Sequence, residues 1–148
     1  MEEKNIKKNK VNQIYPIAFA IFCFYFSLCI FPYYTGGDQY HYIRFYENIG
    51  DYSFKESYSF YGGATGAQEP IYFLLVFFLH SLIEKEVLFS VVNAVFVYYM
   101  TKLLLRERLY PLIIFSLIFN YYFLVLFFSA ERLKIAVLFA ILGLYYGK

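Results

Sequence analysis

Residues 14–38 read IYPIAFAIFCFYFSLCIFPYYTGGD. The first 19 of them, 14–32, carry no charge, and at 1.5 Å of rise per residue such a helix is about 28 Å long, close to the thickness of a bilayer's hydrocarbon core. A cleaved secretory signal has a shorter apolar core and a small-residue cleavage site, whereas this run ends in Ile30-Phe31-Pro32-Tyr33-Tyr34, so it reads as an uncleaved anchor. Ahead of it, residues 1–13 (MEEKNIKKNKVNQ) hold Lys4, Lys7, Lys8 and Lys10, which assigns this polar head to the cytoplasm.

The rest of the chain has the same solvent. Of its 148 residues, 61% are hydrophobic, 25% aromatic and only 16% charged, where a soluble domain carries about a quarter charged residues. Eight Gly, four Pro and two Cys exclude disorder, collagen-like repeats and a disulfide scaffold. A net charge of +2 with no basic stripe argues against nucleic acid as a partner and leaves the lipid bilayer. Cys23 and Cys29 lie on different helix faces, match no zinc spacing with His41 or His80, and read as inert packing residues.

The pattern predicts an all-α fold: a polytopic transmembrane helix bundle of about 4–5 spans with a large external loop. After the first span (14–32), residues 33–69 hold Asp38, Arg44, Glu47, Asp51, Lys55, Glu56 and Glu69 among several glycines, and form that loop. Within it, Asp38 to Gly50 reads as a short amphipathic surface helix, with Asp38 as its N-cap and Tyr42, Ile43, Tyr46 and Ile49 on one face. Pro70 opens a short second apolar segment, 70–83, which is either transmembrane or re-entrant. Segments 87–104 and 109–128 follow as spans, and 133–148 reads as the start of a fifth that is cut off. Single crossings throughout are the expectation on base rates. They set Arg132 opposite Asp38 and put the cluster Lys102, Arg106 and Arg108 outside, against the positive-inside tendency. A segment 70–83 that dips in and returns would instead place Arg132 on the side of Asp38.

Three features carry chemistry. Asp38, after Gly36-Gly37 and before Tyr40, Tyr42, Arg44 and Tyr46, is a carboxylate at the membrane surface able to act as general base toward a sugar hydroxyl, with tyrosine faces for sugar rings. The same residues also suit a plain loop, with Asp38 capping a helix and the tyrosines in the interfacial belt. Glu69, ahead of Pro70, is either a helix-end charge or the partner of Asp38, as acid and base or as ligands of a divalent cation. Arg132, in Ser129-Ala130-Glu131-Arg132-Leu133-Lys134, belongs to an ordinary connection or reaches into the bundle, where its planar fork suits a diphosphate. His41 and His80 read as a polar-face and a helix-end residue. No phosphate loop, HExxH pair, CxxC pair or nucleophile elbow is present, and the pattern names no metal ligand set or certain cofactor.

A first span, then GGDQYHYIRFYENI, then QEPIYFLLVFF, a helix with Asn93, a basic turn with Pro111, and NYYFLVLFFSAERLKIAVLFAILGLYY: this order resembles the N-terminal part of the EpsG family. Those are polytopic bacterial membrane proteins of exopolysaccharide, capsule and O-antigen synthesis, regarded as glycan-repeat polymerases or related glycosyltransferases. The resemblance places Asp38 on the family's Gly-x-Asp-Tyr-like segment, Glu69 on its Glu-Pro and Arg132 on its Arg-Gln, although Leu133 stands here in place of Gln. It implies a polyprenyl-diphosphate-linked oligosaccharide as substrate and other polysaccharide-export proteins as partners. It also implies a location in the bacterial cytoplasmic membrane. Asp38, Glu69 and Arg132 are the expected catalytic set, with Arg44, Tyr40, Tyr42 and Tyr46 binding substrate. Family members have about ten spans, so the chain reads as the N-terminal portion of a longer protein, whose activity in isolation is in doubt. A non-enzymatic membrane component, such as a transporter or flippase fragment or an accessory subunit, is the competing expectation.

Overall fold

A computed structural model describes residues 2–66 and 69–147, with side chains from residue 13 onward. The side chains of the N-terminal lysines, and Gln68 of the QEP motif, lie outside the described residues. The described chain is all-helical: α1 (Glu2–Ile30), α2 (Asp38–Asn48), α3 (Phe54–Thr65), α4 (Pro70–Leu79), α5 (Lys85–Arg106), α6 (Pro111–Ile118), α7 (Tyr121–Phe128) and α8 (Glu131–Tyr146). Two stretches, Gln13–Tyr33 and Lys85–Arg106, are long and apolar enough to cross a membrane; α6 and α7 together make a third if their bent pair is one span.

Side-chain contacts fix the directions of these helices. Asn93 on α5 donates to Ser27 Oγ on α1 at 2.9 Å, and the Lys85 ammonium stands 5.6 Å from the Phe31 ring, so α1 and α5 run antiparallel. Phe115 packs on Phe19 and Phe22, and Phe128 on Phe26 and Phe31, which sets α6 and α7 alongside α1 in the same direction. Arg106 donates to the carbonyls of Leu144 and Tyr145, tying the C-terminal ends of α5 and α8 together. One end of the bundle thus holds Gln13, Arg106 and Tyr146; the other holds Phe31, Lys85 and Glu131.

The path differs from single crossings. The α4 helix has only 10 residues, about 15 Å, too short for a crossing. Its start, Glu69, meets Arg132, and the turn after it returns to the same end, where the Tyr46 hydroxyl donates to the Ile83 carbonyl. The helix therefore lies across the bundle's end, and Arg132 stands beside Asp38 rather than opposite it. Lys102, Arg106 and Arg108 fall at the end of the bundle where α1 begins, not at the end that holds Asp38 and Arg132.

Three local details also depart from the pattern. The 109–128 run is broken by 57° between α6 and α7, where the Asn120 side chain accepts from the Tyr122 N–H at 3.0 Å and starts a new helix. The external loop contains a second helix, α3, opened by Glu56 accepting from the Ser53 N–H (3.1 Å) and hydroxyl (2.6 Å), and closed by Gly66 at φ 66°. And the N-cap of α2 is Gly37, at φ 62°, not Asp38, which is the first helical residue and makes no capping bond. Phe45, Tyr61, Tyr72, Phe73 and Phe89 form the aromatic core beneath α2 and α3.

Candidate functional site

Three elements distant in sequence meet at this end of the bundle. The first two turns of α2 bring Asp38 and Tyr42, the N-terminal edge of α4 brings Glu69, and the start of α8 brings Arg132, Leu133 and Ala136, with Ala130 just ahead of it; together they line a cavity of about 290 Å³. Arg132 is its organiser. Its Nε donates to the Tyr42 hydroxyl at 2.8 Å, and its Nη1 donates to both Glu69 oxygens, at 3.2 and 3.1 Å. Glu69 Oε2 also accepts from the Tyr61 hydroxyl at 2.9 Å. Among the described residues Arg132 Nη2 has no partner, so one edge of the fork is open.

The surroundings set the charge states. Partial desolvation raises the Glu69 carboxyl, but its own backbone N–H, the Tyr61 hydroxyl and the Arg132 guanidinium outweigh it and hold it below the usual carboxylate range. Burial, followed by the neighbouring Glu69 carboxylate, pushes the Tyr61 hydroxyl well up, and burial likewise raises Tyr42. Both tyrosines are therefore neutral at neutral pH, Tyr61 donating to Glu69 and Tyr42 accepting from Arg132. Glu69, held ionised, is unsuited to giving up a proton as an acid. Asp38 is the carboxylate in the cavity with neither a capping bond nor an ion pair among the described residues.

The expected substrate-binding residues divide. Tyr42 is at the cavity. Tyr46 is buried and lines a different space of about 340 Å³ with Ile43, Glu47, His80, Glu84, Lys85 and Glu86. Tyr40 (59% exposed) and Arg44 sit on the outer side of α2 because the helical turn separates them from Tyr42 and Tyr46. Neither lines the cavity. Among the described residues, no group of three or more His, Cys, Asp or Glu could hold a metal ion; Asp38 and Glu69 make only a pair.

Directly beneath lies a buried layer that the sequence pattern does not single out. Lys85 Nζ donates to Glu131 Oε1 and to Gln39 Oε1, each at 2.7 Å, and the Tyr72 hydroxyl donates to Glu131 Oε2, also at 2.7 Å. Lys134, fully buried, donates to the Phe127 carbonyl. Of the two expectations for Arg132, an ordinary connection or a side chain reaching into the bundle, the second falls to Glu131 and Lys134 instead, since three positions apart share a face and Arg132 is turned about 100° from Glu131 and about 160° from Lys134. The signal in the sequence is the three-residue spacing of Glu131 and Lys134 between apolar runs.

In comparisons with known proteins, no family model, no curated protein and no solved structure matches this chain.

Proposed function

We propose that the chain is part of a bacterial integral-membrane polysaccharide polymerase or related glycosyltransferase. In this reading it has four spans in the cytoplasmic membrane (α1, α5, the bent α6–α7 pair and α8), its N-terminus is in the cytoplasm, and the cavity is at the outer face. The observation that carries the reading is the convergence of Asp38, Glu69 and Arg132, from three separate segments, on one cavity walled partly by tyrosine. The Asp38 carboxylate takes the proton of the acceptor sugar hydroxyl, and the freed oxygen attacks the anomeric carbon of a polyprenyl-diphosphate-linked oligosaccharide. The bond from that carbon to the diphosphate breaks, and the diphosphate leaves with the electron pair toward the open edge of Arg132. Glu69 orients Arg132 rather than acting as an acid, because it is held ionised. Tyr42 presents an aromatic face toward sugar. With two carboxylates against one guanidinium the cavity is net negative; a divalent cation, if one is used, would be held by Asp38 and Glu69 and would supply positive charge for the leaving diphosphate.

Asp38→Asn in the intact protein removes the base with little change of shape. Polymer yield and chain length are expected to collapse; unchanged polymer would sink the reading.

One observation favours a second reading, a transporter or other non-enzymatic component. Lys85, Glu131 and Lys134 are ionisable residues inside the bundle, the usual mark of a transport path. Asp38→Asn separates the two, since a transporter that needs only the buried charges retains its activity.

A further inference from the structure

The polar residues at the end of the bundle form two layers linked residue by residue. Asp38 and Arg132 line the cavity, while their chain neighbours Gln39 and Glu131, both fully buried, turn the other way and meet on a single ammonium, that of Lys85. Tyr72 closes the lower layer on Glu131 and packs between Tyr42, tilted at a ring distance of 5.5 Å, and Tyr61, stacked at 5.7 Å, and those two tyrosines are the ones that hold Arg132 and Glu69 above. Lys85 thus ties the first turn of α2 to the first turn of α8 by two hydrogen bonds from one ammonium, with Tyr72 packed beside it against Glu131 and Tyr42.

We propose that Lys85 is the positioning residue of the site, fixing the separation of the Asp38 carboxylate and the Arg132 guanidinium by clamping Gln39 and Glu131. The inference rests on the reading that Arg132 receives a diphosphate. A buried ion pair suits this task better than an apolar contact, because its geometry tolerates little displacement: moving either turn leaves a charge without a partner in a place water does not reach. The stability of such a pair is not the point, since apolar replacements of similar volume often serve folding as well or better.

That property supplies the test. The double substitution Lys85→Met with Glu131→Leu, made in a Lys134→Met parent because Glu131 also faces that buried ammonium, removes the charges of the layer while keeping volume. Melting in detergent, amide hydrogen exchange over residues 38–42 and 130–136, and affinity for inorganic pyrophosphate are measured on the full chain. The expected result is a melting temperature close to that of the parent, exchange in the two turns faster by about tenfold, and pyrophosphate affinity weakened by about tenfold. Unchanged exchange and affinity in a folded double variant overturn the proposal and leave the pair a structural one. Should the double variant fail to fold, Tyr72→Phe, which removes one bond to Glu131 and keeps the ring, gives the same two readings in the same directions, and an unchanged pair of values overturns the proposal there too. If the parent protein binds no pyrophosphate, the diphosphate reading fails by itself, and exchange in the two turns decides the role of Lys85.

Discussion

Two ion pairs begin at adjacent residues of α8. Glu131 meets Lys85 at 2.7 Å with side chains 0% and 7% exposed, and Arg132 meets Glu69 at 3.1 Å with side chains 27% and 52% exposed. Their geometries are alike, and their surroundings are not. The inner pair lies where water cannot replace a lost partner, so removing one member alone is costly. The outer pair borders a cavity where solvent or an anionic ligand can take over either charge, so it can be opened at little cost. One step of 100° along a helix is enough to turn a structural charge into an available one.

The largest effect should come from breaking the inner pair on one side. Lys85→Met leaves the Glu131 carboxylate with the Tyr72 hydroxyl and the neighbouring buried Lys134 ammonium, and a loss of up to about 3–5 kcal/mol is expected in equilibrium unfolding. Adding Glu131→Leu together with Lys134→Met, which clears the layer of charge, should recover most of that loss. A single variant as stable as the parent would mean that Glu131 takes up a proton or water at no cost, and the contrast between the pairs would vanish.

The sequence named both members of the outer pair without pairing them, and hid the inner one. Asp38 and Glu69 stand at the two ends of one loop between apolar runs, so their placement at one end of the bundle could be read directly, whereas the side on which Arg132 falls depended on the path of the segment 70–83. Lys85 and Glu131 stand within charge clusters, Glu84-Lys85-Glu86 and Glu131-Arg132-Leu133-Lys134, and which member of a cluster turns inward depends on the phase of the helix against its neighbours. Periodicity marks an apolar face, and these helices, apolar nearly all round, offer little contrast to set that phase. Likewise α3 was concealed by Gly62-Gly63, which read as loop although the helix continues through them to Gly66. The path of α4 was legible only as an alternative: its length pointed to a return, and base rates favoured a crossing. The break at Asn120 was open to a closer reading, since a lone Asn inside an apolar run is a ready N-cap.

A smaller effect on stability, with a large one on function, is expected from Arg132→Lys. It keeps the charge beside Glu69 and loses the fork that reaches Tyr42 and Glu69 together. Unfolding should shift by less than about 1 kcal/mol, as for other partly exposed pairs, while pyrophosphate affinity and polymer yield fall. A loss of stability comparable to that of Lys85→Met would show that the fold depends on the outer pair no less than on the inner.

The smallest effect is a titration, and its sign follows from the neighbours of Glu69. The folded carboxyl lies below its ordinary value because its own N–H, Tyr61 and Arg132 outweigh partial desolvation. A depressed carboxylate contributes stability above the unfolded value, about 4.3, and loses it as pH falls through the lower, folded one. Glu69 should therefore remain ionised at pH values where an exposed glutamate is already half protonated. The change in global stability is small because the side chain is half exposed and screened. Carbon-13 chemical shifts of the Glu69 carboxyl report the titration directly. Arg132→Gln should move its midpoint up toward the ordinary glutamate value, and Tyr61→Phe should move it the same way. A Glu69 that titrates at the ordinary value in the unmodified chain would mean that the outer pair is open in solution. Arg132 would then be free on both edges, and Tyr42 alone would hold it over the cavity.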